Sequence, residues 1–106
     1  MEIRKAVLKQ IKKKIQRLPE IDVVEVILFG SQASGSAQRD SDYDLLIILK
    51  NKIDWKTKRK IYSISYDIDL EYNIITDIHI LSSNEVNSLR GKQPVYQNAI
   101  QEGIYA

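Results

Sequence analysis

Two aspartates one residue apart, Asp42 and Asp44, follow a glycine–serine pair, Gly30-Ser31, after ten intervening residues. On a strand, residues two apart point to the same face and lie roughly 6.7 Å apart along the chain. At about 6 Å and an effective dielectric near 20, two carboxylates repel by roughly 3 kcal/mol. A strand start with no use for cations rarely keeps that arrangement, whereas two divalent ions about 3.5–4 Å apart are bridged well by it. The chain has no cysteine and one histidine, His79. Thiolate sites and zinc sites needing two imidazoles are therefore excluded, and carboxylate ligands select hard cations such as Mg2+ or Mn2+.

Gly30-Ser31 supplies the complementary half. A small-residue turn leaving a strand lets backbone amides approach a ligand without side-chain obstruction. If Ser31 to Ala37 begins as a short helix, its free amides and positive dipole end face a phosphate, and the Ser31 hydroxyl adds a donor. Phosphate donors beside metal-binding carboxylates are what triphosphate chemistry requires.

The surrounding pattern must hold these groups in place. Ile3, Val7, Ile11, Ile15 and Leu18 form one stripe of an amphipathic helix, which Pro19 stops. Residues 23–29, VVEVILF, are short and rich in β-branched side chains, as in a buried strand. Residues 42–49, DYDLLIIL, read as a second. The small-residue segment between them would pass for a linker by composition. Core strands on both sides argue instead that it is held against the domain. From Asp54 to Tyr72 the period is helical, with Ile61, Ile64, Ile68 and Tyr72 on one face. Asp54 is the expected N-cap and Asn73 the left-handed end. Ile74 to Leu81 reads as a third strand. Ser82 and Glu85 fit a capping box, and Pro94 to Glu102, closed by Gly103, fits a short helix. Three strands between helices imply an α/β fold, a small sheet with helices on a face.

The run LFGSQASGSAQRDSDYDLLI, with Gly30-Ser31-x10-Asp42-x-Asp44, resembles the signature of minimal nucleotidyltransferases of the DNA polymerase beta superfamily. The likeness covers roughly residues 1–81 and implies an α-β-α-β-α-β core with a small mixed sheet and short C-terminal helices. It also implies that Gly30 and Ser31 bind a nucleoside triphosphate while Asp42 and Asp44 hold two metal ions. A third carboxylate in the family comes from the next strand. Asp77 is the candidate, since the helical period assigns Asp69 and Glu71 to the preceding helix. Many members carry arginine where this chain has Ser34, and Arg39 offers an alternative guanidinium to phosphate.

The implied activity is metal-dependent transfer of a nucleoside monophosphate, AMP from ATP being the leading choice, to a hydroxyl acceptor. Minimal members are often paired with a helical HEPN partner in toxin–antitoxin modules, which makes a partner protein the favoured acceptor over nucleic acid. The alternative is a catalytically weak member that serves as a partner-binding, antitoxin-like module.

Other residues have plainer readings. Tyr43 points away from its flanking aspartates, into the core. His79 shares a face with Asp77, where packing is the simpler role and substrate contact the other. Trp55 packs on the sheet or starts a helix, and Asp40 serves a turn or cap. The 106 residues are 43% hydrophobic and 28% charged, which argues against disorder and for one domain spanning 1–106. At that length, domains that grip a template are not expected. No signal peptide or membrane span is visible, so a cytoplasmic protein is expected. The net charge of +2 hides segregation: residues 1–18 carry seven Lys/Arg against one Glu, and residues 61–89 carry five acids and no Lys or Arg. Solvated helix faces explain most such runs.

Overall fold

The computed structural model describes residues 3–35, 42–88 and 92–106. Helix α1, Ile3–Gln16, buries Val7, Ile11 and Ile15 from the expected stripe, together with Ala6 and Leu8. Ile3, at the helix's first residue, is exposed. Strand β1, Val23–Phe29, leads into a one-turn helix α2, Ser31–Ser34, and then β2, Tyr43–Leu49. Helix α3, Trp55–Tyr72, precedes β3, Thr76–Ser82. The short α4, Ser83–Val86, the helix α5, Pro94–Glu102, and a two-residue β4, Ile104–Tyr105, complete the order.

The four strands lie in the order β3-β2-β1-β4. β1 is antiparallel to β2 and to β4, while β2 and β3 run parallel. The sheet is therefore mixed, as the resemblance implies. Strand β2 takes a central place because its apolar run continues without a polar break, so both of its faces can be buried. Leu45, Ile47 and Leu49 join Val26 and Leu28 under α1 and α3. Leu46 and Ile48 join Ile27, Phe29 and Leu81 under Tyr96 and Ala99 of α5. Tyr43 is buried in the first of these clusters, on the face its sequence parity required.

Local signals set the helix ends. The Asp54 carboxylate accepts from the Thr57 amide at 2.9 Å and from its hydroxyl at 2.7 Å, and Asn73 closes α3 at φ 53°, ψ 51°. Ser82 and Glu85 form both halves of the capping box.

One boundary shifts and one strand is added. Strand β3 starts at Thr76, two residues later than its apolar pattern. Asp69 draws the chain back first, its carboxylate accepting from the Thr76 amide at 2.9 Å and its carbonyl from the Ile74 amide at 3.1 Å. Trp55 takes the second of its two expected places, as the first residue of α3, and Lys56 and Arg59 lie over its exposed ring at 5.8 Å. The fourth strand, β4, is too short to carry any period-2 signal.

Gly103 links α5 to β4 in an extended conformation, φ −71°, so crowding rather than handedness demands it. A Cβ there would sit 2.3 Å from Ile27 Cγ2 and 2.4 Å from the Ala99 carbonyl oxygen. Gly103→Ala is expected to cost about 1–3 kcal/mol, as overpacking of a filled interior does. Thermal melts should show a fall of at least about 5 °C, and an unchanged midpoint would refute this account of the junction.

Candidate functional site

Register brings the acidic residues together. Asp44 pairs with Phe29 on one side and with Asp77 on the other, so the end of β1 and the starts of β2 and β3 form one rim. Asp44 shares its face with Leu46 and Ile48, and Asp77 shares its face with His79 and Leu81. That is the α5 side of the sheet. Short of the rim, α5 covers it with Tyr96 and Ala99.

Asp44, Asp77 and His79 each offer a ligand atom within 4.8 Å of the other two. His79 Nε2 lies 3.3 Å from Asp77 Oδ2, and its Nδ1 lies 3.2 Å from the Tyr96 hydroxyl. Edge-on contacts with Phe29 and Tyr96, at centroid distances of 5.4 and 5.7 Å, hold the imidazole ring. The Asp44 carboxyl is pushed above its ordinary range, first by burial and then by the neighbouring Asp77 charge; the Asp42 charge adds to this and His79 opposes it. Such a carboxylate lacks positive charge at neutral pH. A divalent cation would supply it, and these residues could hold one.

Gly30 and Ser31 form the adjoining wall. Gly30 adopts φ 75°, ψ −155°, and its carbonyl accepts from the amides of Ala33 and Ser34, both at 3.1 Å. The first amides, at the N-terminal end of the turn, face the side on which a phosphate would be met. Arg4 donates to the Gln32 carbonyl at 3.0 Å and ties the turn to α1. Between this turn and α5 lies a cleft of about 390 Å³, with Phe29, Gly30, Ser34 and Asp44 on its sheet side.

The sequence-derived residues separate as follows. Asp44 and Asp77 meet, with Gly30 against Asp44. Ser31 is the first residue of α2 and is partly buried. Asp42 is exposed one residue ahead of β2 and stands outside the group of three, though its charge reaches Asp44. Asp69 is occupied by Thr76, and Glu71 is on α3. Arg39 and Asp40 lie outside the described residues. Sequence reasoning did not assign Val95, Asn98 and Glu102 to the cleft. Their spacing of three and four marks one helix face, but nothing local says which side of the sheet that helix covers.

Residues 8–106 match the family described as Nucleotidyltransferase domain. The chain belongs to this family. This nucleotidyltransferase is a minimal member of the DNA polymerase beta superfamily, in agreement with its motif. It is 38% identical over 69 residues to a Methanocaldococcus jannaschii protein provisionally named a protein adenylyltransferase, covering 65% of this chain and 70% of that one. A solved structure provisionally described as a minimal nucleotidyltransferase superposes with TM-score 0.56 at 25% identity, over 96% of this chain and 87% of the other. A toxin–antitoxin crystal structure with AMP-PNP shares the fold at TM-score 0.60 and 16% identity, over 96% and 70%. Among the described residues of this nucleotidyltransferase, no helix is long and apolar enough to cross a membrane.

Proposed function

We propose that this nucleotidyltransferase moves AMP from ATP to a hydroxyl group on a partner protein, using divalent metal ions, as one catalytic domain. The observation that carries the proposal is the approach of Asp44, Asp77 and His79 within 4.8 Å beside the Gly30 turn. The adenylyl group and the protein acceptor are supported by the name of the M. jannaschii relative, and the partner by the toxin–antitoxin neighbour with AMP-PNP. A HEPN-type helical protein is the favoured partner.

In this reading the Gly30-Ser31 turn binds the triphosphate through backbone amides and the Ser31 hydroxyl. Arg39 adds a guanidinium. Asp42, Asp44 and Asp77 would hold two Mg2+ or Mn2+ ions, which when bound would supply positive charge for the phosphates and acidify the acceptor hydroxyl. Asp77, on the exposed side of the rim, receives the acceptor proton, while His79 and Tyr96 fix its carboxylate. The acceptor oxygen bonds to the α-phosphorus, the bond from that phosphorus to the β-bridging oxygen breaks, and pyrophosphate leaves. Val95, Asn98 and Glu102 offer the nucleoside an apolar surface with hydrogen-bonding groups.

Incubating the purified protein with α-labelled ATP, Mg2+ or Mn2+ and a cell lysate tests this. The expected result is label on a protein, lost with EDTA and lost in Asp42→Asn/Asp44→Asn. No label with either metal or any lysate, while nucleotide still raises the melting temperature, would instead mark a partner-binding module.

A further inference from the structure

Helix α3 presents an outer face that the described residues leave uncovered. Residues 55, 56, 59, 60, 62, 63, 66, 67, 70 and 71 are all exposed, at the period of one helix face. Four are large and apolar: Trp55 is 62% exposed, Tyr62 49%, Tyr66 57% and Leu70 69%. A single exposed aromatic is ordinary, but four along one 18-residue helix make a contiguous patch.

The charges on the same face say what fits there. Lys56 and Arg59 stand in the first half, Asp67 and Glu71 in the second, and Ser63 lies between them. Lys60 is already paired with Glu20 of its own chain. If the helix is reversed about Ser63, Arg59 comes opposite Asp67, Lys56 opposite Glu71, Trp55 opposite Leu70, and Tyr62 opposite Tyr66. All four pairings are centred within about one residue of Ser63. The small side chain at the centre allows two helices to approach closely. A shallow depression lined by Lys56, Arg59, Lys60 and Ser63 would receive the acidic side chains of the reversed helix.

We infer that this face binds a second copy of the chain, α3 against α3, antiparallel about a two-fold axis. Such an interface is self-complementary because each pairing occurs twice. A parallel pair would set basic half against basic half, and a uniformly acidic or basic partner would satisfy only one end. Because α3 covers the sheet face opposite the Asp44–Asp77 rim, both clefts of the dimer stay open to acceptors. The inference does not depend on the proposed activity.

Light scattering after gel filtration of the full chain reads the mass directly. Twice the 12.3 kDa chain mass is expected at tens of micromolar, with dissociation promoted by salt. Arg59→Glu and Asp67→Arg should each weaken the dimer by at least about tenfold, since each creates two like-charge contacts. The double variant Arg59→Glu/Asp67→Arg should restore it, because the exchanged charges again meet across the axis. A chain that stays at 12.3 kDa throughout, or a double variant as weak as the singles, overturns the inference whatever else binds this face.

Discussion

Asp44→Asn should make the metal-free protein more stable and its nucleotidyl transfer at least on the order of 10²–10³-fold slower, the cost expected on losing a preorganised charge at a reacting phosphate. The stability gain follows from the direction of the Asp44 shift. Burial and the Asp77 charge raise its pKa above the ordinary 3.8, so the folded protein holds this proton more tightly than the unfolded chain. The favourable contribution is complete below the unfolded pKa and is lost as pH rises through the folded value. At neutral pH the ionised carboxylate therefore opposes folding. Asparagine keeps the shape and removes the charge. Because Asp77 is largely exposed, water screens the pair, and a gain of about 1 kcal/mol is the reasonable scale. That corresponds to about 4–8 °C for a domain near this size.

Divalent metal should reverse the ranking. Thermal melts in EDTA and in Mn2+, with label transfer on the same samples, measure both effects. If the variant melts below wild type in EDTA, or transfers label at a similar rate, the rim does not work as a charge-deficient cation site.

Gly30→Ala should damage the same site from its other wall. At φ 75°, ψ −155° the residue occupies a region open essentially to glycine, where another residue costs about 1–3 kcal/mol. A Cβ would also sit 2.3 Å from Asp44 Oδ2 and 3.3 Å from its Cγ. Either the carboxylate leaves Asp77 and His79, or the turn leaves the cleft. A misplacement of about 1 Å at a reacting centre costs on the order of 100-fold. The expected result is a lower melting temperature together with at least that loss of transfer. In an Asp44→Ala background the steric part should vanish and the backbone part remain, so the stability cost of Gly30→Ala should shrink without reaching zero. Full additivity of the two substitutions would mean that Gly30 and Asp44 do not share this contact.

Gly30 is thus a phosphate-facing turn in the sequence reading and a steric neighbour of Asp44 in the structure. The second role could not be seen in the chain, because it requires β1 and β2 to pair with Phe29 opposite Asp44. Asp77 is a similar case. The resemblance called for a third carboxylate, and the helical period favoured Asp77 over Asp69 and Glu71 by placing those two on the preceding helix. The approach of Asp77 to Asp44 is a matter of parallel register between β2 and β3. A slip of one residue would have turned Asp77 to the α3 side of the sheet.

What the amino-acid order determined by itself is local. It set the ends of α3 at Asp54 and Asn73, the capping box at Ser82, the buried runs of β1 and β2, and the spacing of Gly30-Ser31 from Asp42 and Asp44. Those outcomes depend on side-chain hydrogen bonds and steric limits acting within a few residues. Only the tertiary structure decided that α5 covers the Asp44 side, that Tyr96 reaches His79, and that β4 adds to the edge of β1. Those choices are made by burying apolar area across the sheet, between segments whose separation along the chain leaves no local trace.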